Sequence, residues 1–446
     1  MARIAGLIKK IRRTEEYVIA LDAGDFVSGT PFHTFYGGRA EIECMNAIGY
    51  DAVAVGNHEL DNGLKRLFDL SDQAEFPFMS ANLIWRRSGE RVFQPYVLFE
   101  AGDVTVALLA LTTDGIYGRV RPSAVASLAA IDPVEAAKEF VPRLRRQAQC
   151  VAVLSHIGVE EDRRLAEEVP GIDLIVGGDS HTLLEEPIVV NNPLSRRPTY
   201  IVQAGSYARY LGRVDLAFLK GALVDVDCAI IPVSTVSPKD YAVGHIVDKF
   251  WNSMEKSVTR VVAHAAGPFP KNESLKTGET PLGNLVADIT RHATGADFAI
   301  QNAGGIRSGF GQGPITVWDV YQALPFDNRF LTLELNGTQV EELADEIARR
   351  LGRSSFCQVS GISFTIKNGE AHGVEVAGAA IERDKKYTLG VIDFLAEGGD
   401  HHTALTKARV VSSGGAWQRD LAVEYLKEKN TLRPKIEGRI RIEGHR

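Results

Sequence analysis

Short apolar runs recur along the first half of the chain, and each breaks off into small and polar residues. YVIALDAGD leads to Asp22 and Asp25, DAVAVGNHELD to Asn57, His58 and Asp61, VTVALLALTTDG to Asp114, CVAVLSHIG to His156, and IDLIVGGDSHT to Asp179 and His181. The stretch PTYIVQAGSYARYLG follows. Apolar runs bounded in this way predict buried strands, and the 3.6-residue periodicity between them predicts helices over 133–147 and 160–169. Alternating strand and helix patterns predict an α/β layered fold. In such sheets ligands gather at the carboxyl ends of the strands, which is where these polar residues fall.

The pattern changes after about Leu223. VDVDCAIIPVSTVSP predicts a terminal strand, and 241–258 a helix that joins two domains. A second α/β unit starts near Val261. It holds a predicted helix over 281–293, a glycine-rich loop NAGGIRSG, strands at FLTLEL and GISFTI, a helix over 338–350, and a loop DFLAEGGDHHT. The expected division is therefore 1–240, a connector at 241–260, and 261–446, in keeping with a length too great for one ordinary core.

Composition narrows the class. No apolar stretch approaches the roughly 20 residues that a membrane span requires. A net charge of −7 and a pI near 5.9 argue against a nucleic-acid binder held by phosphate contacts. The basic groups at 9–13 and 143–146 are expected on solvated helix faces. Cys44, Cys150, Cys228 and Cys357 lie far apart without CxxC spacing, which predicts buried free thiols. The start, MARIAGLIKKIRR, is amphipathic and lacks a signal-peptide core, so the chain as written is expected to be cytoplasmic.

Taken singly, Asp25 or Asp179 fits a helix cap or an Asx-turn, Asn57 a turn, and His156 a satisfied core histidine. Together they form a set of oxygen and imidazole groups on strand ends, which suits a divalent first-row ion such as manganese, zinc, cobalt or iron. The lack of cysteine ligands disfavours structural zinc. A carboxylate bridging two ions would make a clamp for in-line displacement at phosphorus. Asn57 can offer its amide oxygen to an ion while His58 points elsewhere. Asp61, three residues on, is then within reach of the imidazole and favours its protonated form. Such a histidine protonates a leaving alkoxide or stabilises phosphoryl oxygens.

In order and spacing, LDAGDF, GNHELD, LSHIG and GGDSHT resemble the calcineurin-like metallophosphoesterase domain of the UDP-sugar hydrolase/5′-nucleotidase family. PLGN, NAGGIR, LPFDN and FLAEGGD resemble that family's C-terminal domain. The resemblance implies a β-sandwich flanked by helices, followed by a separate α/β substrate domain. It also implies Asp25 as a bridging carboxylate, Asn57 and His156 on one metal ion, His181 on the other, and His58–Asp61 as the catalytic pair. Two departures stand out. Asp179 occupies a ligand position where relatives often carry histidine, which favours manganese or magnesium over zinc. No Asp-x-His precedes Asp25. The expectation is a chain lacking one N-terminal strand, holding one ion well and a second poorly, and periplasmic or extracellular if that strand and an export signal belong to it.

In the second half, the glycines of NAGGIRSG beside Arg307 form either an ordinary turn or a loop whose amides approach an anion. Phe326 and Phe394 are either core aromatics or, as the resemblance implies, the pair that stacks on a nucleobase. The resemblance further places Asp400 on ribose hydroxyls and Asn302 and Arg307 around sugar and phosphate. Lys276 stands where relatives carry an arginine, losing bidentate geometry. His401 and His402 read as surface residues or as a base contact. The implied activity is metal-dependent hydrolysis of nucleoside 5′-monophosphates or related nucleotides. The alternatives are a UDP-sugar hydrolase, a 2′,3′-cyclic-nucleotide phosphodiesterase, or a nucleotide binder impaired in catalysis.

Overall fold

Alternation along the central strands of the first half sorts side chains between two layers. The computed structural model describes residues 1–195 and 197–443. A six-stranded mixed sheet runs in the order Ile188–Val190, Thr199–Val202, Leu174–Gly177, Cys150–His156, Val104–Thr112, Tyr96–Ala101. Ala107, Leu109, Leu111, Val151 and Val153 face the helices Pro133–Leu144 and Val159–Glu168. Their neighbours Leu108, Ala110, Ala152 and Leu154 face the other way and pack with Ala52, Ala54 and Met79 of a three-stranded parallel sheet. The hairpin Tyr210–Leu219/Ala222–Pro232 adds Val214, Leu216 and Phe218 to the same layer. This is the sandwich of sheets flanked by helices that the resemblance implied, and each helix face is buried as its periodicity predicts.

Three of the helices begin at residues that cap them. Asp132 accepts from Val134 and Glu135, Thr280 from Gly283, and Asn336 with Gln339 closes a reciprocal capping box. The predicted connector is a helix, Tyr241–Val258. By contrast, YVIALDAGD yields only the two-residue strand Leu21–Asp22. Among the described residues no helix is long and apolar enough to cross a membrane.

The chain clusters into two units, Met1–Val27 with Tyr36–Tyr117 and Ala124–Trp251, and Ser28–Phe35 with Gly118–Ser123 and Asn252–Arg446. The second unit is built on a five-stranded sheet in the order Cys357–Ser360, Phe298–Asn302, Lys386–Ile392, Arg329–Asn336, Arg409–Trp417, with the helix Pro281–Thr294 packed against it.

Two readings need correction. The basic groups are not simply solvated: Arg12 donates to the carbonyls of Ile48 and Gly49, and Arg145 pairs with buried Asp173 and donates to Gln149 O. Helix and strand ends leave carbonyls without partners, and a guanidinium has donors enough to satisfy several. All four cysteines are free, but Cys228, on the hairpin, is only partly buried.

Candidate active site

The fully buried strand Ala52–Ala54 runs into Gly56 and then a single 3₁₀ turn, His58–Leu60. That turn places Asp61 beneath the ring of His58, with Nδ1 2.7 Å from Asp61 Oδ2. His58 Nε2 lies 3.9 Å from Asp25 Oδ2, and the His58 backbone N–H donates to Asp25 Oδ1 at 2.8 Å. Gly56 is needed for this approach: a Cβ there would stand 2.3 Å from Asp25 Oδ1. Asp25 itself has φ 58, a conformation costly for a residue with a side chain. Glu59 holds it there. Its buried carboxylate accepts from the amides of Asp25 at 2.9 Å, Gly56 at 2.7 Å and Val27 at 3.4 Å. Burial, and then the neighbouring Asp25, push the Glu59 pKa up to about 7. Sequence reasoning passed over Glu59, although it stands inside GNHE, because Asp25 and Val27 lie 34 and 32 residues away in the chain.

His156 closes a strand that is buried along its whole length. Its Nδ1 lies 2.6 Å from Ala23 O, an acceptor, so Nδ1 carries the hydrogen. Nε2 faces Asp25 Oδ2 at 3.2 Å and Asp179 Oδ1 at 3.7 Å. A lone pair opposed to two carboxylates is tolerable only with a proton or a cation between them. Burial disfavours a charged His156, but Asp25 and Asp179 override it and push the pKa up to about 10. The pKa of Asp25 is depressed: burial opposes its charge, but His58 and His156 outweigh that. On the residue before His58, Asn57 Oδ1 is buried without a hydrogen-bond partner, as is His156 Nε2. A carbonyl-anchored imidazole, two carboxylates and an unpaired amide oxygen are the donor set of a divalent cation site, so these residues fit a metal ion. Among the described residues, no three His, Cys, Asp or Glu side chains stand as a ready-made cage. His181 is exposed at φ 58, its ring edge-on to Tyr207 at 5.6 Å.

The second unit gathers a different group. Arg307 lies over the ring of Phe326 at 5.8 Å, and Lys276 pairs with Glu273 at 2.8 Å. The Lys271 pKa is lowered by partial burial and then by Arg307 and Lys276, so three cations converge where two were predicted. No motif marks Lys271 in the sequence. NAGGIRSG does not offer a row of open amides. Ala303 donates to Phe356 O, Gly304 to Ser354 O, Ile306 to Ala303 O and Arg307 to Ala323 O. Its glycines serve packing instead, since a Cβ on Gly305 would lie 2.5 Å from Gln301 Nε2 and 2.6 Å from Asn302 Oδ1.

Asn302 Nδ2 donates to Asp400 Oδ2 at 2.7 Å. Burial raises the Asp400 pKa, with Asn302 opposing. Asp400 and His401 have φ 53 and 62, and Arg350 pins them by donating to Asp400 O at 3.3 Å and His401 O at 2.5 Å. His402 is not a surface residue: its side chain is fully buried, with Nε2 3.0 Å from Ser355 O and Nδ1 3.6 Å from Glu346 Oε2. Phe326 and Phe394 are half-buried, and Phe394 packs against the unit's core.

A histidine–aspartate pair beside a carboxylate that also faces a strand-end imidazole defines a metallophosphoesterase, a phosphate ester hydrolase. Residues 1–183 match the family described as calcineurin-like phosphoesterase, and residues 261–407 the family described as 5′-nucleotidase, C-terminal domain. With the two halves in one chain, the protein belongs to the UDP-sugar hydrolase/5′-nucleotidase family. It is 32% identical to the trifunctional nucleotide phosphoesterase protein YfkN of Bacillus subtilis, over 99% of this chain but only 34% of that protein. The 5′-nucleotidase of Vibrio cholerae is 28% identical over 93% of this chain and 83% of its own length. The crystal structure of a 5′-nucleotidase precursor from Thermus thermophilus superposes with a TM-score of 0.90 at 29% identity, covering 100% of this chain and 94% of that one.

Proposed function

We propose that the chain hydrolyses nucleoside 5′-monophosphates, the first unit performing the hydrolysis and the second holding the nucleoside. The observation that carries this reading is the His58–Asp61 pair at 2.7 Å, set beside Asp25, which His156 also faces, with the unpartnered oxygen of Asn57 on the preceding residue. Asp25, Asn57, His156 and Asp179 would hold a divalent ion, with His181 serving a second, weaker position. A bound ion would polarise the phosphoryl group and lower the pKa of an attacking water. Asp179 in place of an imidazole makes the set harder and more negative, which favours manganese or magnesium over zinc.

The chain's own residues divide the remaining work. Asp61 fixes the His58 ring and supports its protonated form, leaving Nε2 to donate to the departing ribose oxygen or to the phosphoryl oxygens. Lys271, Lys276 and Arg307 supply charge for phosphate. Phe326 and Phe394 present aromatic faces to a base, a mode that tolerates any nucleobase. Asp400, with Asn302, accepts from the sugar hydroxyls.

The test is a screen of the manganese-loaded protein with AMP, UDP-glucose and 2′,3′-cyclic AMP, followed by chromatography of the products. Adenosine from AMP supports the reading. Turnover of UDP-glucose or the cyclic nucleotide alone shifts the substrate within the family. AMP bound in calorimetry without turnover under any metal condition leaves a nucleotide binder.

A further inference from the structure

The carboxylate of Asp400 terminates a buried row of amides. Gln418 Nε2 donates to Gln301 Oε1 at 2.7 Å, Gln301 Nε2 to Asn302 Oδ1 at 2.9 Å, and Asn302 Nδ2 to Asp400 Oδ2 at 2.7 Å. Gln301, Asn302 and Gln418 are all closed to solvent. The direction of the row is forced. An ionised carboxylate only accepts, so Asn302 must present its amino group, and its oxygen must then accept from Gln301, whose oxygen must accept from Gln418. Turning any one amide around sets oxygen against oxygen in a dry interior, where an unmet polar group is most costly.

The far end of the row reaches the loop of Phe326. Gln418 opens the helix Gln418–Lys429, and its backbone N–H donates to Asn328 O at 2.9 Å. Its neighbour Arg419 donates to Phe326 O at 3.1 Å and pairs with Asp327 Oδ1 at 2.6 Å. The start of one helix thus holds the loop of one aromatic and orients the amides that end on Asp400. The side chains of Gln301 and Gln418 touch no open surface, so their amides reach Asp400 only through Asn302.

We propose that Gln301 and Gln418 are positioning residues for sugar recognition, fixing the plane of the Asp400 carboxylate so that its remaining lone pairs accept from the cis-diol of a ribose. This rests on the nucleotidase reading and adds to it a preference for ribonucleotides over nucleotides lacking the diol. Charge-assisted hydrogen bonds discriminate well only when the acceptor is held still, because a freely turning carboxylate loses the geometry that both hydroxyls need.

The experiment compares kcat/KM for AMP and 2′,3′-dideoxy-AMP in the manganese-loaded full chain, for the wild type, Gln301→Leu and Gln418→Leu. The wild type is expected to favour AMP by at least about tenfold, the worth of one charge-assisted hydrogen bond. Gln301→Leu should lower that preference about tenfold, through a raised KM for AMP rather than a lowered kcat. Gln418→Leu, one link further away, should lower it less. If Gln301→Leu does not fold, the Gln418 variant carries the same test. A preference unchanged in the folded variants, with both substrates losing equally, means that the amides serve stability alone and overturns the proposal. A wild type that hydrolyses AMP and its dideoxy analogue equally well also overturns it while leaving the nucleotidase reading intact. A wild type that hydrolyses neither removes that reading itself.

Discussion

The polar groups of the two units are left in opposite states. Around Asp25 and His156 the acceptors outnumber the donors: the single Nε2 of His156 faces two carboxylates, and the Asn57 oxygen has no partner. Around Asp400 each amide is matched to the next, and the strained backbone is pinned by Arg350. The contrast matches the work that the proposed reading gives each site. A cation site must keep its acceptors free until the ion arrives, and the protein is destabilised in the meantime. A site for hydroxyls gains from being finished in advance, because a preorganised acceptor loses little entropy on binding.

Substitutions can break this contrast. The largest effect is expected at His58. His58→Ala should lower kcat by roughly 10²–10⁴, the range of general acid–base help, without changing the metal content measured by elemental analysis. Metal lost together with activity would make His58 a ligand and dissolve its distinction from Asn57. Next come two substitutions of opposite sign, read by urea unfolding of metal-free protein. Gln301→Leu leaves the Asn302 oxygen and the Gln418 amide unmet and should destabilise by about 1–3 kcal/mol. Asn57→Leu removes an acceptor that already lacks a partner and should stabilise by about 1 kcal/mol, while abolishing the stabilisation that added manganese gives the wild type. Equal and same-signed effects would mean that the two sites are not built differently.

The gentlest test uses pH, through the Glu346–His402 pair of the finished site. Burial opposes charge on His402, but Cys357 and Glu346 push its pKa up to about 10. Burial likewise opposes charge on Glu346, yet His402 and Arg350 bring it down to about 2. A raised histidine gives stability that is full below its unfolded pKa, about 6.5, and is lost as pH rises through 10. A lowered glutamate gives stability that is full above its unfolded value, about 4.5, and is lost as pH falls through 2. Stability from this pair should therefore be flat between these unfolded values and decline on both sides, no more steeply than about 1.4 kcal/mol per pH unit for one proton. His402→Phe should flatten the alkaline limb in urea titrations; a limb of unchanged slope would assign the proton elsewhere.

The sequence disclosed some levels of this structure and hid others, for physical reasons. Strand ends and helix starts were legible because they are local: the apolar run before Asn57, the three-residue step from His58 to Asp61, and the helices beginning near 133 and 281 are set by residues within one turn of what they determine. The sequence also showed which apolar runs end in carboxylate and imidazole side chains, and the fold brought Asp25, His156 and Asp179 together from three of them. The supports of these groups were not legible. Glu59 reaches back to Asp25, Gln418 reaches Gln301 across more than a hundred residues, and the burial of His402 depends on Glu346 in a distant helix. NAGGIRSG left two readings open for a related reason. Glycine permits close approach, but whether an anion or a buried amide does the approaching is decided by tertiary packing.

Glu59 carries a last consequence. By gathering the amides of Asp25, Gly56 and Val27 on one carboxylate, it keeps the loops in their working shape whether or not an ion is present. Loading the site then resembles filling a socket rather than folding a domain. Ions should exchange quickly and reversibly, and the metal found in the protein should mirror the supply around it instead of a choice made once during synthesis. Chelation followed by replenishment should restore full turnover within mixing time, with the circular dichroism spectrum unmoved throughout. A Glu59→Gln chain, holding the same loops with half the acceptors, should recover only slowly.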